Sequence, residues 1–226
     1  MRLTGLGLYT FPQAAKLLRV SSADLRRWLL GYRSGAPGEV KTFPPLWTPD
    51  LKALGLNGLS FHDLLEIRFV QHFRQLGISL QTIRVVAENA RRIFGSDHPF
   101  ISSQFRTDGR TIFADAIASS GDVELIDLKR RQQVIDDVIR PSLLQGIEYQ
   151  NDQAVRWYAE GRSKAIVLDP QVAFGKPVIT RHSIRTDVLH DAWLAENKDT
   201  RRVAAVYEVP VSAVKAAIRF ELRLAA

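Results

Sequence analysis

The chain has 226 residues, 46% of them apolar, with 31 Lys/Arg against 24 Asp/Glu for a formal net charge of +7. That length holds one large domain or two to three small ones, and the apolar content excludes wholesale disorder. The absence of cysteine excludes disulfides and thiolate metal sites and fits a reducing compartment, so the cytoplasm is the expected location.

No basic leader precedes an apolar core, and no run approaches the roughly 18 apolar residues of a membrane span, so neither a signal peptide nor a membrane contact is expected. Charge is unevenly spread: residues 1–41 carry 7 basic and 2 acidic side chains, and residues 101–160 carry 7 and 10. A basic end beside an acidic middle points to a polyanionic partner at the amino end.

Residues 9 to 33 read as two short helices around a tight polar turn. Pro12 sits where a first helical turn tolerates a missing N–H. Ala14, Leu17 and Leu18 recur at helical spacing. Val20-Ser21-Ser22 breaks that pattern, and Ser21 or Ser22 can cap the second helix through a side-chain oxygen. Leu25 and Trp28 supply its apolar face, with Trp28 expected in the core. Ser22, Ala23, Arg26 and Arg27 are left facing outward, and a short helix with small polar residues first and two arginines a turn later suits a major groove.

Residues 34 to 60 are too rich in proline and glycine for a long helix. Glu39 to Phe43 can form one strand of a small wing, which would set Arg33 and Lys41 near a phosphate backbone. Ser60 is expected to cap a helix with a broad apolar face from Phe61 to Leu76. Ser79 is expected to cap another, bearing the stripe Ile83, Val86, Ala87, Ala90 and Phe94, with Arg84, Arg91 and Arg92 off it. Further on, Asp108-Gly109 between extended-looking flanks predicts a hairpin over Gln104 to Phe113. Val123 to Leu128 reads as a strand and residues 132 to 150 as helical. Val155 to Ala159 and Ala165 to Asp169 read as strands of a small antiparallel sheet. Val178-Ile179 is a further strand, Thr186 a cap, and three short helices follow near 186–196, 199–207 and 211–223.

These elements predict a mainly α (α+β) fold in three segments: residues 1–99 a winged helix-turn-helix, 100–160 a central sheet with a helix, and 161–226 a three-helix module. The pairs His62/His72 and His182/His190 show no metal-ligand spacing, and Asp136-Asp137 and Glu124/Asp127 sit in a mixed charged background rather than an acidic cage. Gly5-Leu-Gly7 lacks the rest of a glycine-rich phosphate loop. With no nucleophile–base–oxyanion set, the expectation is a non-enzyme without metal or cofactor.

Two family resemblances rest on these residues. Residues 9 to 92 resemble a MerR-type winged helix-turn-helix through Tyr9-Thr10, Ala14-Ala15-Lys16-Leu17-Leu18, Val20-Ser21, Leu25-Arg26-Arg27-Trp28, Gly31-Tyr32-Arg33 and Leu76-Gly77-Ile78-Ser79-Leu80. Arg19 stands where that family usually has a small residue, often glycine. No long dimerisation coiled coil follows. Residues 155 to 222 resemble the antitoxin module catalogued as the domain of unknown function four hundred and thirty-three. The matches are Ile166-Val-Leu-Asp-Pro170, Gly175-Lys-Pro-Val-Ile179, Ile184-Arg-Thr186 and Val203-Ala-x-x-Tyr207; Thr180-Arg-His-Ser departs from the family's usual run.

The second resemblance implies a VapB-like antitoxin whose partner is a PIN-like ribonuclease toxin with an acidic, metal-holding site. The implied protein is a homodimer that binds the operator DNA of its own operon through Ser21, Ser22, Ala23, Arg26, Arg27, Arg33 and Lys41 and represses it. Arg219 and Arg223, at the end of the last helix, are the candidates for reaching the toxin. Arg201, Arg202, Lys215 and Arg219 face outward on a second helix-turn-helix-like pattern that serves either dimerisation or DNA. The alternative is a stand-alone MerR-like transcription regulator whose middle segment binds a small ligand.

Overall fold

The computed structural model describes residues 5–36, 39–120, 135–137 and 145–225. The fold is mixed α and β, helix-rich at both ends, with two small antiparallel sheets among the described residues. Two compact units form: Thr10–Leu144 with Asn151–Gln153, and Met1–Tyr9 with Gln145–Gln150 and Ala154–Ala226.

The first unit opens with α1 (Phe11–Leu18) and α2 (Ser22–Leu30). Thr10 and Gln13 form a capping box at the start of α1, satisfying two otherwise orphaned backbone donors. Ser21 caps α2, its Oγ accepting from the Asp24 N–H at 3.0 Å. Between them Arg19 takes a left-handed conformation (φ 55°, ψ 46°). The tight turn therefore requires the backbone state that glycine adopts without a Cβ penalty, and Arg19 occupies it under strain. Arg19→Gly is expected to raise stability by about 0.5 kcal/mol, the strain relieved exceeding the extra unfolded-state freedom. A lower urea midpoint would instead assign the larger effect to contacts of the Arg19 side chain.

A two-stranded wing follows, β1 (Tyr32–Ser34) and β2 (Lys41–Phe43). Next come α3 (Phe61–Gln75), capped by Ser60 with Asp63 in a capping box, and α4 (Leu80–Phe94), capped by Ser79. A buried polar network surrounds the start of α3. Asp63 accepts from Trp47 Nε1 at 2.7 Å, from the Asp50 N–H at 3.1 Å and from the Ser60 N–H at 2.9 Å. Ser60 Oγ donates to Asp50 Oδ2 at 2.6 Å, and His98 Nε2 lies 2.9 Å from Asp50 Oδ1. Glu66, fully buried on α3, accepts from the N–H groups of Phe100 and Ile101 at 3.1 and 3.2 Å.

The hairpin expected at Asp108-Gly109 does not form; Ser103–Ser120 is a helix, α5. Phe105, Ile112, Phe113, Ala116 and Ile117 are buried at helical spacing. Phe113 meets Phe73 edge-on with centroids 4.7 Å apart, and Phe105 meets Phe100 at 5.1 Å. Burial of that aromatic face overrides the local turn preference of Asp-Gly. The helix expected over 132–150 is also corrected at its end, where Ile147–Gln150 is a strand; residues 135–137 are helical, and 132–134 and 138–144 lie outside the described residues. The strand expected at Val123 to Leu128 and the pair Glu124/Asp127 lie outside them too.

The second unit contains a four-stranded sheet in the order β3 (Ile147–Gln150), β4 (Gln153–Tyr158), β5 (Ile166–Leu168) and β6 (Val178–Ile179). Ile166, Val167 and Leu168 are all buried, as a continuous apolar strand demands. Three helices follow close to their expected positions: α6 (Thr186–Ala195), α7 (Thr200–Val206) and α8 (Val211–Ala225). Their core is Leu189, Val203, Val214, Ala217 and Phe220. Thr186 does not cap α6 as expected; it is the first helical residue, and its hydroxyl donates to Glu221 Oε1 on α8 at 2.5 Å. The segment before α1 belongs to this unit. Tyr9 donates its buried hydroxyl to the Gly175 carbonyl at 2.6 Å, and the Leu8 N–H donates to the Phe174 carbonyl at 2.9 Å. A Cβ on Gly175 would stand 2.3 Å from the Tyr9 hydroxyl, so glycine is required there.

Candidate nucleic-acid interface

Leu25, Trp28 and Leu29 are buried along one side of α2, which leaves Ala23, Arg26 and Arg27 exposed on the other and Ser22 half-buried. Ser21 is exposed as the cap, its hydroxyl donating to Asp24 Oδ2 at 2.7 Å. The guanidinium carbon of Arg27 lies over Tyr32, 3.9 Å from the ring centroid, and that of Arg26 lies 5.5 Å from the Phe11 centroid. Both cations are exposed and within cation–π range of an aromatic ring. Arg26, Arg27, Tyr32, Arg33 and Ser34 line a shallow open cleft where α2 meets the wing.

The wing register places Tyr32 opposite Phe43, Arg33 opposite Thr42 and Ser34 opposite Lys41. Tyr32 and Phe43 stack with centroids 4.6 Å apart, so one face of the ribbon is an aromatic pair. Arg33 and Lys41 are both exposed. The seven residues singled out from the sequence thus sit on α2, its cap and the wing.

Sequence reasoning missed what holds this arrangement rigid. Leu46 donates its N–H to the Trp28 carbonyl at 2.8 Å, tying the chain after the wing to the end of α2. From α4, Arg84 donates to the Pro44 carbonyl at 2.7 Å and Arg91 to the Leu46 carbonyl at 2.9 Å. Their position off the apolar stripe was the available signal, but stripe position alone cannot tell a solvated arginine from a brace.

Gly31 closes α2 with φ 77° and ψ 177°, a region essentially confined to glycine. A Cβ there would lie 2.6 Å from the Phe43 carbonyl oxygen. Gly31→Ala is expected to destabilise the unit by about 2 kcal/mol and to displace the wing from α2. Urea unfolding measures the first effect and backbone chemical shifts of residues 32–43 the second; an unchanged midpoint would show that the helix–wing junction tolerates a side chain.

In the other unit, Arg201, Arg202, Lys215, Arg219 and Arg223 are exposed. Arg202 is paired with Glu196 at 2.6 Å. Arg223 lies 3.8 Å from Glu160 and over the Phe220 ring. Leu194, Val206 and Leu222 expose about half or more of their surface on α6, α7 and α8. His72 Nε2 lies 2.9 Å from the Asp137 carbonyl, and Arg110 donates to the Asp136 carbonyl, so these backbone groups serve packing within the first unit. Among the described residues, no helix is long and apolar enough to cross a membrane.

One unit thus presents two short helices around a tight turn, a two-stranded ribbon and a cationic cleft, and the other a sheet with three helices. Residues 166–220, within the latter, match the family of proteins of unknown function DUF433. Over 196 residues the chain is 28% identical to a protein of Mycobacterium tuberculosis (strain ATCC 25618 / H37Rv) named "Putative antitoxin VapB45", covering 80% of this chain and 81% of that one. The fold is that of Rv2018 from Mycobacterium tuberculosis, known from an X-ray crystal structure: TM-score 0.65 at 22% identity, over 94% of this chain and 98% of that one.

Proposed function

We propose that the protein is a DNA-binding antitoxin of a toxin–antitoxin pair. Its winged unit binds the operator of its own operon, and its C-terminal unit dimerises and covers a PIN-like ribonuclease toxin. The observation that carries the DNA half is the cleft at α2, where exposed Arg26, Arg27 and Arg33 surround Tyr32. In this reading Ser21, Ser22 and Ala23 approach the base edges, and Arg33 and Lys41 on the wing contact phosphates. A two-fold dimer carries two such helices, and the operator is then palindromic with half-sites one or more helical turns apart. The likeness to VapB45 supports the antitoxin half, and the exposed apolar residues of α6–α8 supply a surface for a protein partner.

The DNA half is tested by titrating a duplex from upstream of the gene at several salt concentrations. Affinity should fall linearly with salt on a log–log plot, and salt-independent binding would end this reading. The toxin half is tested by co-expression with the adjacent gene. The wild-type chain should restore growth, and Arg219→Ala with Arg223→Ala should weaken that rescue. Undiminished rescue by the double variant would remove these arginines from the toxin contact.

A further inference from the structure

The network at the start of α3 contains more than helix capping requires. Asp50 comes from the segment after the wing, His62 from the second position of α3, and His98 from the loop after α4. One ligand atom from each lies within 4.8 Å of the other two. The two imidazole rings have centroids 5.5 Å apart. We infer that Asp50, His62 and His98 form a binding site for a divalent transition-metal ion of the zinc class.

Three features support this beyond proximity. His98 is 9% exposed, and its Nε2 lies 2.9 Å from Asp50 Oδ1, so the ring is already fixed with that nitrogen toward the carboxylate. An ion there would take the place of the proton between Nε2 and the carboxylate and use both groups without moving either far. Second, the Asp50 carboxylate is already oriented: Ser60 Oγ holds Oδ2 at 2.6 Å, and Oδ1 faces His98. Outer-shell hydrogen bonds of this kind fix the direction of a ligating carboxylate. Third, the donor chemistry is selective. Two imidazoles and one carboxylate suit zinc, cobalt or nickel, whereas calcium and magnesium require oxygen donors throughout. Tetrahedral ligand atoms stand roughly 3.3 Å apart at zinc bond lengths. Closing the site therefore needs at most about 1.5 Å of side-chain movement, within the range of small adjustments of the half-buried His62.

Three protein ligands leave a fourth position for water or a further donor. The bound ion would cross-link the end of α4, the start of α3 and the segment leading from the wing. Leu46, in that segment, is the residue bonded to Trp28 on α2 and to Arg91 on α4. Metal would thus tighten the brace behind the cationic cleft, and the inference holds whether or not that cleft binds DNA.

The test uses the full chain stripped with a chelator and titrated calorimetrically with Zn(II), then separately with Co(II) under visible absorption. The wild type should take up one Zn(II) per chain, gain thermal stability with it, and show the d–d bands of low-coordinate cobalt. His62→Ala should weaken binding at least 10-fold, the lower bound set by outer-shell losses, and abolish the thermal gain. Asp50→Asn should weaken it similarly. Because Asp50 also serves the capping network, His62→Ala is the deciding variant if Asp50→Asn fails to fold. His182→Ala, at an exposed site in the other unit, should bind as the wild type does. Absence of saturable binding by the wild type, or wild-type affinity in His62→Ala, would overturn the inference.

Discussion

Replacing Arg26 and Arg27 together by alanine is expected to lower duplex affinity by about 10- to 100-fold near 0.15 M salt and to reduce the log–log salt slope by about 2. Each guanidinium that neutralises a phosphate releases about 0.9 of a counterion, so two lost contacts remove nearly two units of slope. The fold should survive, because both side chains are exposed and alanine favours the helix. The losses on the protein side are the cation–π contact of Arg27 with Tyr32 and the longer one of Arg26 with Phe11, of the order of 1 kcal/mol at exposed sites. Arg27→Lys separates charge from geometry. It keeps the cation but not the planar guanidinium, so slope should be retained while affinity for the specific sequence falls. A double variant with the wild-type binding curve would remove α2 from any DNA contact.

The parts of the fold legible in the sequence are those whose signals are local. The Ser60 and Ser79 caps, the α2 core residues Leu25 and Trp28, and the buried strand Ile166–Leu168 all depend on periodicity or on a cap within a few residues. The cationic surface of α2 was legible for the same reason: once Leu25 and Trp28 face inward, Arg26 and Arg27 must face out.

What escaped depends on partners distant in the chain. Asp108-Gly109 is a strong turn signal, yet Phe105 and Phe113 pack against Phe73 and Phe100 and require a helix. Tyr9 reads as the entrance to α1, but its hydroxyl bonds to Gly175, 166 residues away. His62 and His72 show no metal-ligand spacing in the sequence; the neighbours of His62 in space are Asp50 and His98, and no linear spacing exposes that group. The glycine-like backbone at Arg19 was signalled only by a departure from the usual residue at that turn, and the structure supplies the cause: a left-handed C-cap.

The largest pH effect on stability is expected from Glu66. Burial pushes its pKa from an ordinary value near 4.5 to about 7, against the opposing influence of His98, the Phe100 and Ile101 N–H groups and Arg91. Through that window the folded chain holds a proton that the unfolded chain has released, so stability falls as pH rises and the loss is complete above about 7. At ~1.4 kcal/mol per unit, the full loss is of the order of 3 kcal/mol. Asp63 acts in the same direction, since its burial outweighs the hydrogen bonds of Ser60 and Trp47 and raises its pKa. His98 does so at higher pH. Burial lowers its pKa, but the Asp50 hydrogen bond and the surrounding carboxylates outweigh this and raise it, and the resulting stability is lost as pH climbs through the folded value. Only Asp50 opposes. Burial raises its pKa, but His98 and Ser60 together lower it, and its contribution is lost at the acid edge, as pH falls below the usual carboxylate range. Urea unfolding in the presence of chelator should therefore find the first unit most stable near pH 5 and weaker at pH 8. Glu66→Gln mimics the protonated acid, so it should match the wild type near pH 5 and exceed it above pH 7, with a flatter profile between. Parallel profiles for the two proteins would place the titrating group elsewhere than at Glu66.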